Sequence, residues 1–213
     1  MLAGADEAGR GPVLGPLVVA AVAARSPAHL ARLGACDSKL LSPDKREQVA
    51  TRIRAYARCE VRVVSAAELN AGMRTRTLNQ IEVDAFAEVL ARLAPSRAVV
   101  DACDPVADRF ADHIMRRLPP PPCEVRARHG ADRSHAIVGA ASIVAKVTRD
   151  AIVRDIEREI GEPIGSGYPH DPRTRAFLQR WRQEHDDLPP HTRLYWATVA
   201  GDRPLDRRLE KYL

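Results

Sequence analysis

Residues 4–12 read Gly-Ala-Asp-Glu-Ala-Gly-Arg-Gly-Pro, and no other stretch constrains the fold as tightly. Two adjacent carboxylates, Asp6 and Glu7, close an apolar run and lead straight into glycines and a proline. The apolar lead reads as a strand over residues 2–7. Residues 13–24, with Val18, Val19 and Val22, read as a second strand, and Gly/Pro residues punctuate both. Neighbours within a strand point to opposite faces, but that alternation relaxes at a strand end, so both acids can approach one site. An exposed acid pair in a glycine-bounded turn gains nothing structurally. Gly9 and Gly11 fit two readings: the turn of a hairpin, or close backbone approach to a sugar-phosphate, with amides donating and Arg10 supplying charge. The spacing excludes a P-loop and the dinucleotide fingerprint.

Further along, Ser42-Pro43-Asp44 starts a helix, with Ser42 as N-cap, that continues from Lys45 to Arg58. Val61–Val64 is a short strand, and Leu78–Leu93 carries Ile81, Phe86, Val89, Leu90 and Leu93 at helical spacing. Ala98–Val100 is a buried strand ending at Asp101, and Asp104-Pro105 opens a helix to about Leu118. Pro119–Pro122 is a stiff connector, Glu124–Arg128 alternates as a strand, and a long helix starts at Ser134 or His135 and runs to about Ile160. Its small residues Gly139-Ala140-Ala141-Ser142 permit close packing against a sheet or ligand. After Gly165-Ser166-Gly167 come short helical patterns without a convincing strand, which sets off residues 171–213 as a helical C-terminal subdomain behind a domain of residues 1–170. Strands joined by turns, then alternating helices and strands, predict a mixed sheet covered by helices.

Asp101 and Asp132 join the acid pair as candidates, each following a strand. Taken alone, either reads first as a helix or turn cap. Together with Asp6 and Glu7 they make a set of hard oxygen ligands of the kind Mg²⁺ and Mn²⁺ favour. The net charge is +5, which permits a polyanionic partner without demanding one. Its placement says more: seven basic residues but only two acids lie between Arg116 and Arg149. No C-x-x-C pair occurs among Cys36, Cys59, Cys103 and Cys123, so a zinc site is not expected and the cysteines read as inert thiols. No run approaches the length of a membrane span, and a cleaved leader would remove the acid pair, so a cytoplasmic protein is expected.

The acidic opening resembles the signature of type 2 ribonucleases H, the ribonuclease HII family in an archaeal-like form. Asp37-Ser38-Lys39-Leu40-Leu41-Ser42, Val100-Asp101-Ala102-Cys103-Asp104, Ala131-Asp132, Ala140–Val147 with Arg149-Asp150, and Gly165-Ser166-Gly167-Tyr168-Pro169 resemble its further motifs, in order. Arg193 and Trp196 match a weaker one, where the family more often has Ser before the tryptophan and this chain has Tyr195. The resemblance implies an α/β ribonuclease H-like fold: a mixed five-stranded sheet flanked by helices, with a small helical C-terminal segment. It implies a monomeric endonuclease for the RNA strand of RNA–DNA hybrids, including single ribonucleotides in duplex DNA. Asp6, Glu7, Asp101 and Asp132 would hold two divalent ions, Mn²⁺ or Mg²⁺, giving 3′-hydroxyl and 5′-phosphate ends. Gly9, Arg10, Gly11 and Tyr168 would read the ribose, and Lys39 and Lys146 would meet phosphates. Partners would be the hybrid, ribonucleotide-containing duplex DNA and a sliding clamp, although Pro204–Leu213 is too charged for an obvious clamp-binding peptide.

Other readings remain at this point. A DNA-strand nuclease or junction resolvase of the same fold also uses carboxylates and Mg²⁺, but has no need of Gly9-Arg10-Gly11 with Tyr168. A non-catalytic hybrid-binding module predicts missing acids, whereas all four positions are occupied. Ribonuclease HIII carries an N-terminal DNA-binding domain, for which the residues before Gly4 leave no room.

Overall fold

The computed structural model describes residues 1–35 and 41–200. In chain order the elements are β1 (Leu2–Ala8), β2 (Leu17–Ala24), α1 (Pro27–Arg32), α2 (Pro43–Tyr56), β3 (Arg58–Val64), α3 (Ala66–Gly72), α4 (Leu78–Leu93), β4 (Arg97–Asp101), α5 (Ala107–Met115), β5 (Glu124–Arg128), α6 (Ala131–Ser134), α7 (Ala136–Ile160), α8 (Pro172–Glu184) and α9 (Ala197–Ala200). The five strands form one mixed sheet in the order β3-β2-β1-β4-β5, the architecture the resemblance implied. β1 runs antiparallel to β2 and parallel to β4, and β4 runs parallel to β5.

The chain falls into two compact units. The first holds Met1–Ala8, Val18–Val63 and Asn79–Thr148; the second holds Gly9–Leu17, Val64–Leu78 and Arg149–Leu213. In the first unit, β2 is buried along its whole length, as expected of an inner strand with both faces covered. Its run of Val and Ala leaves no polar face to expose. Phe86 of α4 and Phe110 of α5 meet edge to face, 5.2 Å between ring centres. The predicted close packing of the small residues in α7 is present. A Cβ at Gly4 of β1 would lie 2.5 Å from the Ile137 backbone, and one at Gly139 would lie 2.6 Å from the Ala35 carbonyl. Only glycine allows α7 so close to β1, which carries the acid pair.

The second unit has its own core of Val13, Leu14, Val153, Ile156, Ile164, Phe177 and Leu178, against which Trp181 and Trp196 pack. Asp171 caps α8, accepting from the Arg173 amide, with Pro172 at the first helical position.

Several boundaries differ from expectation, two of them for reasons visible in the hydrogen bonding. The second strand begins at Leu17 rather than Val13. Gly15 takes a left-handed φ of 85°, Pro16 has no N–H for a ladder, and the Val13 amide donates instead to the Gly167 carbonyl. The chain between β1 and β2 is therefore a looped excursion within the second unit rather than a tight hairpin turn. The helix expected from Asp104 begins at Ala107, because the Asp104 carboxylate accepts from the Val106 amide and from Arg109, which fixes a local turn first. Helices α1 and α3 were not anticipated. Ser26 and Ser65 cap them, Ser65 with Glu68 in a reciprocal capping box. Among the described residues no helix is long and apolar enough to cross a membrane.

Candidate active site

The register of the sheet brings the first two acids level. β1 and β4 are parallel and pair as far as Ala5 with Val100, so the next position on each strand is Asp6 and Asp101. Pairing with β4 stops there, while β1 stays paired to β2 through Ala8. The acid pair thus sits one and two residues before the end of the strand rather than at its tip, on a segment with a partner on one side only. Ligand sites of α/β sheets lie outside the carboxyl ends of the strands, and the ends of β1, β4 and β5 all carry acids onward.

Asp6 is only 5% exposed. Its Oδ1 accepts from the Glu7 amide at 2.8 Å. Burial pushes its carboxyl well above the usual carboxylate range; the charges of Glu7 and Asp101 push the same way, while hydrogen bonds from Ser142 and the Glu7 amide pull it back. Asp101, half-buried, accepts from the Ala131 amide at 2.7 Å through Oδ1. That bond draws the short helix α6, and with it the buried Asp132, toward the end of β4. Burial raises the Asp101 carboxyl, the Ala131 and Gly130 amides lower it, and the Asp132 charge raises it. Gly130 makes the approach to α6 in the left-handed region at φ 65°. Asp101 therefore holds the start of α6 from the end of β4, a tertiary contact rather than the local cap its position alone suggested, and also lies within electrostatic reach of Asp6 and Asp132.

Glu82 was not foreseen. It lies fully buried in α4. One ligand atom from each of Glu7, Glu82 and Cys103 lies within 4.8 Å of the others. The signal was available, since an acid between Ile81 and Val83 on an apolar helix face is unusual. Among the described residues Cys59, Cys103 and Cys123 form no disulfide, and burial pushes Cys59 up to about 11 and Cys123 upward. Cys36 lies outside the described residues.

The donor set fits a hard divalent cation. Partly buried carboxylates that raise one another's pKa resist ionising, and a cation that prefers oxygen ligands relieves the repulsion. The carboxylates of Asp6, Glu7, Asp101 and Asp132 are ligands of that chemical kind, while the ligand atoms that lie within 4.8 Å of one another among the described residues are those of Glu7, Glu82 and Cys103.

The other predicted residues lie as follows. In the second unit, Gly9 is buried, Arg10 half-buried and Gly11 exposed. A Cβ on Gly11 would lie 3.5 Å from the Tyr168 ring, so the structure brings that loop and that aromatic together. The Arg149 guanidinium sits 5.1 Å from the Tyr168 ring centre and donates to the Ser166 carbonyl at 2.6 Å. The Gly165–Tyr168 turn is tied to α8: Asp171 accepts from the Ser166 amide and hydroxyl at 2.7 and 2.6 Å, and Thr174 accepts from the Gly167 amide at 2.9 Å. Lys146 is half-buried on α7 in the first unit. Lys39 lies outside the described residues.

The model of the family described as Ribonuclease HII matches residues 3–199. The chain belongs to the ribonuclease HII family. It is 43% identical over 202 residues to the ribonuclease HII of Methanothrix thermoacetophila, covering 93% of this chain and 95% of that protein. The ribonuclease HII solved with PCNA from Archaeoglobus fulgidus superposes with a TM-score of 0.88 at 40% identity, covering 97% of this chain and 98% of that one. The ribonuclease H2 of Pyrococcus horikoshii OT3 superposes with a TM-score of 0.86 at 36% identity, covering 99% and 98%. Membership of ribonuclease HII makes the chain a ribonuclease H, a nuclease of the RNA strand of RNA–DNA hybrids in a family that depends on divalent metal.

Proposed function

We propose that this ribonuclease H cleaves both long RNA–DNA hybrids and single ribonucleotides embedded in duplex DNA, using two divalent ions held by Asp6, Glu7, Asp101 and Asp132, and leaves 3′-hydroxyl and 5′-phosphate ends. The observation that carries this is the register of the sheet, which sets Asp6 of β1 level with Asp101 of β4, whose carboxylate in turn accepts from the Ala131 amide next to Asp132. When bound, divalent cations activate the attacking water and stabilise the leaving 3′-oxygen. The chain's own part is to hold the ligands: the Ala131 amide fixes Asp101, while Ser142 and the Glu7 amide fix Asp6. Asp101→Asn should abolish cleavage with the fold intact; activity within tenfold of the unmodified protein would sink the assignment.

Ribose recognition belongs to the Gly9-Arg10-Gly11 loop and Tyr168. The 2′-hydroxyl is what separates RNA from DNA. The nearness of the Tyr168 ring to Gly11 supports one contact surface for a sugar. Lys39 and Lys146 take phosphates. A duplex with one ribonucleotide, tested with Mg²⁺ and with Mn²⁺ beside an all-DNA duplex, separates this reading from a DNA-strand nuclease or resolvase, which would cut the all-DNA duplex. A sliding-clamp partner is part of the proposal because the Archaeoglobus relative was solved with PCNA. Failure to co-elute with an archaeal PCNA would remove it.

A further inference from the structure

We infer that Arg193 is a positioning residue for ribose recognition, acting through the backbone of the Gly9-Arg10-Gly11 loop; the inference rests on the reading of that loop given above. Arg193 is fully buried. Its guanidinium donates to three carbonyls of one segment: Nη2 to Gly9 at 2.8 Å, Nη1 to Arg10 at 3.2 Å and Nε to Gly15 at 2.7 Å. Trp196 stacks on it, 4.8 Å from the guanidinium carbon to the ring centre. The Arg193 amide donates to the Val13 carbonyl at 2.8 Å, so backbone and side chain grip the same loop.

A buried arginine is a poor device for stability alone, since burying the charge costs free energy that an apolar side chain of similar volume avoids. What the guanidinium adds is a planar fork of donors with fixed directions. In a trans peptide the C=O and N–H of one plane point opposite ways. Drawing the Gly9 and Arg10 carbonyls toward Arg193 therefore turns the amides of the same two planes, those of Arg10 and Gly11, the other way. The outcome is a pair of consecutive N–H donors with one orientation, beside the Tyr168 ring. Gly9 has to be glycine here, because its φ is 86° and a Cβ would lie 2.7 Å from the Pro16 carbonyl. Lysine cannot replace the fork, since its donors radiate from a single atom.

The test compares kcat/KM on a single-ribonucleotide duplex with that on a long hybrid. Arg193→Lys, checked for folding by circular dichroism, should lose about 100-fold on the single ribonucleotide, the scale of a roughly 1 Å misplacement. It should lose much less on the hybrid, and its Mn²⁺-induced rise in Tm should match that of the unmodified protein. Equal losses on both substrates, or none, overturn the inference. If Arg193→Lys does not fold, Trp196→Leu takes its place, because it removes the stacking surface and keeps the fork; it should shift the ratio in the same direction, and an unshifted ratio overturns the inference. Gly11→Ala has room for its methyl group beside Tyr168 and crowds only the approaching substrate. An unchanged ratio there overturns the ribose reading and the Arg193 role with it. A changed ratio there with an unchanged one for Arg193→Lys overturns the Arg193 role alone.

Discussion

Tyr168 and Lys146 are expected to touch substrate in different ways, and single substitutions separate them. A long hybrid offers many registers, and phosphate contacts position it without specifying a site. A lone ribonucleotide offers one register, so contact at that sugar matters more. Tyr168→Ala should therefore cost roughly 5- to 150-fold on the single ribonucleotide, the equivalent of about 1–3 kcal/mol of stacking, and less on the hybrid. Lys146→Ala should weaken both substrates alike and lower the salt slope by about one. Rates on both substrates at two salt concentrations check this; equal losses for Tyr168→Ala would mean that the ring only supports its turn. At this scale the candidate residues were legible and their contacts were not. Asp6 and Glu7 stood out because glycines follow them at once. Glu82 did not, because a helical pattern weighs apolar periodicity and passes over one acid inside it. Arg193 was visible only as a motif residue, since the carbonyls it grips lie far away in sequence.

Among the elements, α8 has the clearest measurable role, because its N-cap Asp171 also anchors the turn that carries Tyr168. Hydrogen bonds from Ser166 hold the Asp171 carboxyl at about 2, against an ordinary 3.8. A depressed carboxyl favours the folded state above its unfolded value, and that contribution fades as pH falls through the folded one. Asp171→Ala should therefore lower Tm at neutral pH, with the gap closing between about pH 4 and pH 2. A gap that stays constant down to the acid limit would show that the loss is one of packing. The elements with strong local signals matched expectation closely: α4 spans Leu78–Leu93 and β5 spans Glu124–Arg128. The start of β2 did not, because the apolar run from Val13 continues through a turn whose residues pack into a different core. Periodicity reports that a residue is buried, and not which core buries it.

For the molecule as a whole, the carboxylate cluster couples stability to metal. Burial and mutual repulsion raise Asp6 and Asp101, so the metal-free protein should lose stability as pH rises above the ordinary carboxylate range and these groups are forced to ionise. A cation that binds only the native state reverses the loss by mass action. Millimolar Mn²⁺ should raise Tm at pH 7 or above, by less at pH 5, and by less in Asp6→Asn; an equal rise in both proteins would argue against binding at this cluster. The sheet order has a consequence of another kind. β1 lies at the centre of the five strands, with Gly4 held against the backbone of α7. Native proteins open locally from their edges inward. In deuterium oxide the amides of β1 should be among the last to exchange, well after those of the outer strands β3 and β5, and comparable rates by mass spectrometry would contradict this. Asp6 and Glu7 would then ride on the slowest-exchanging segment of the chain, and warming that frays the outer strands would still leave both carboxylates in register.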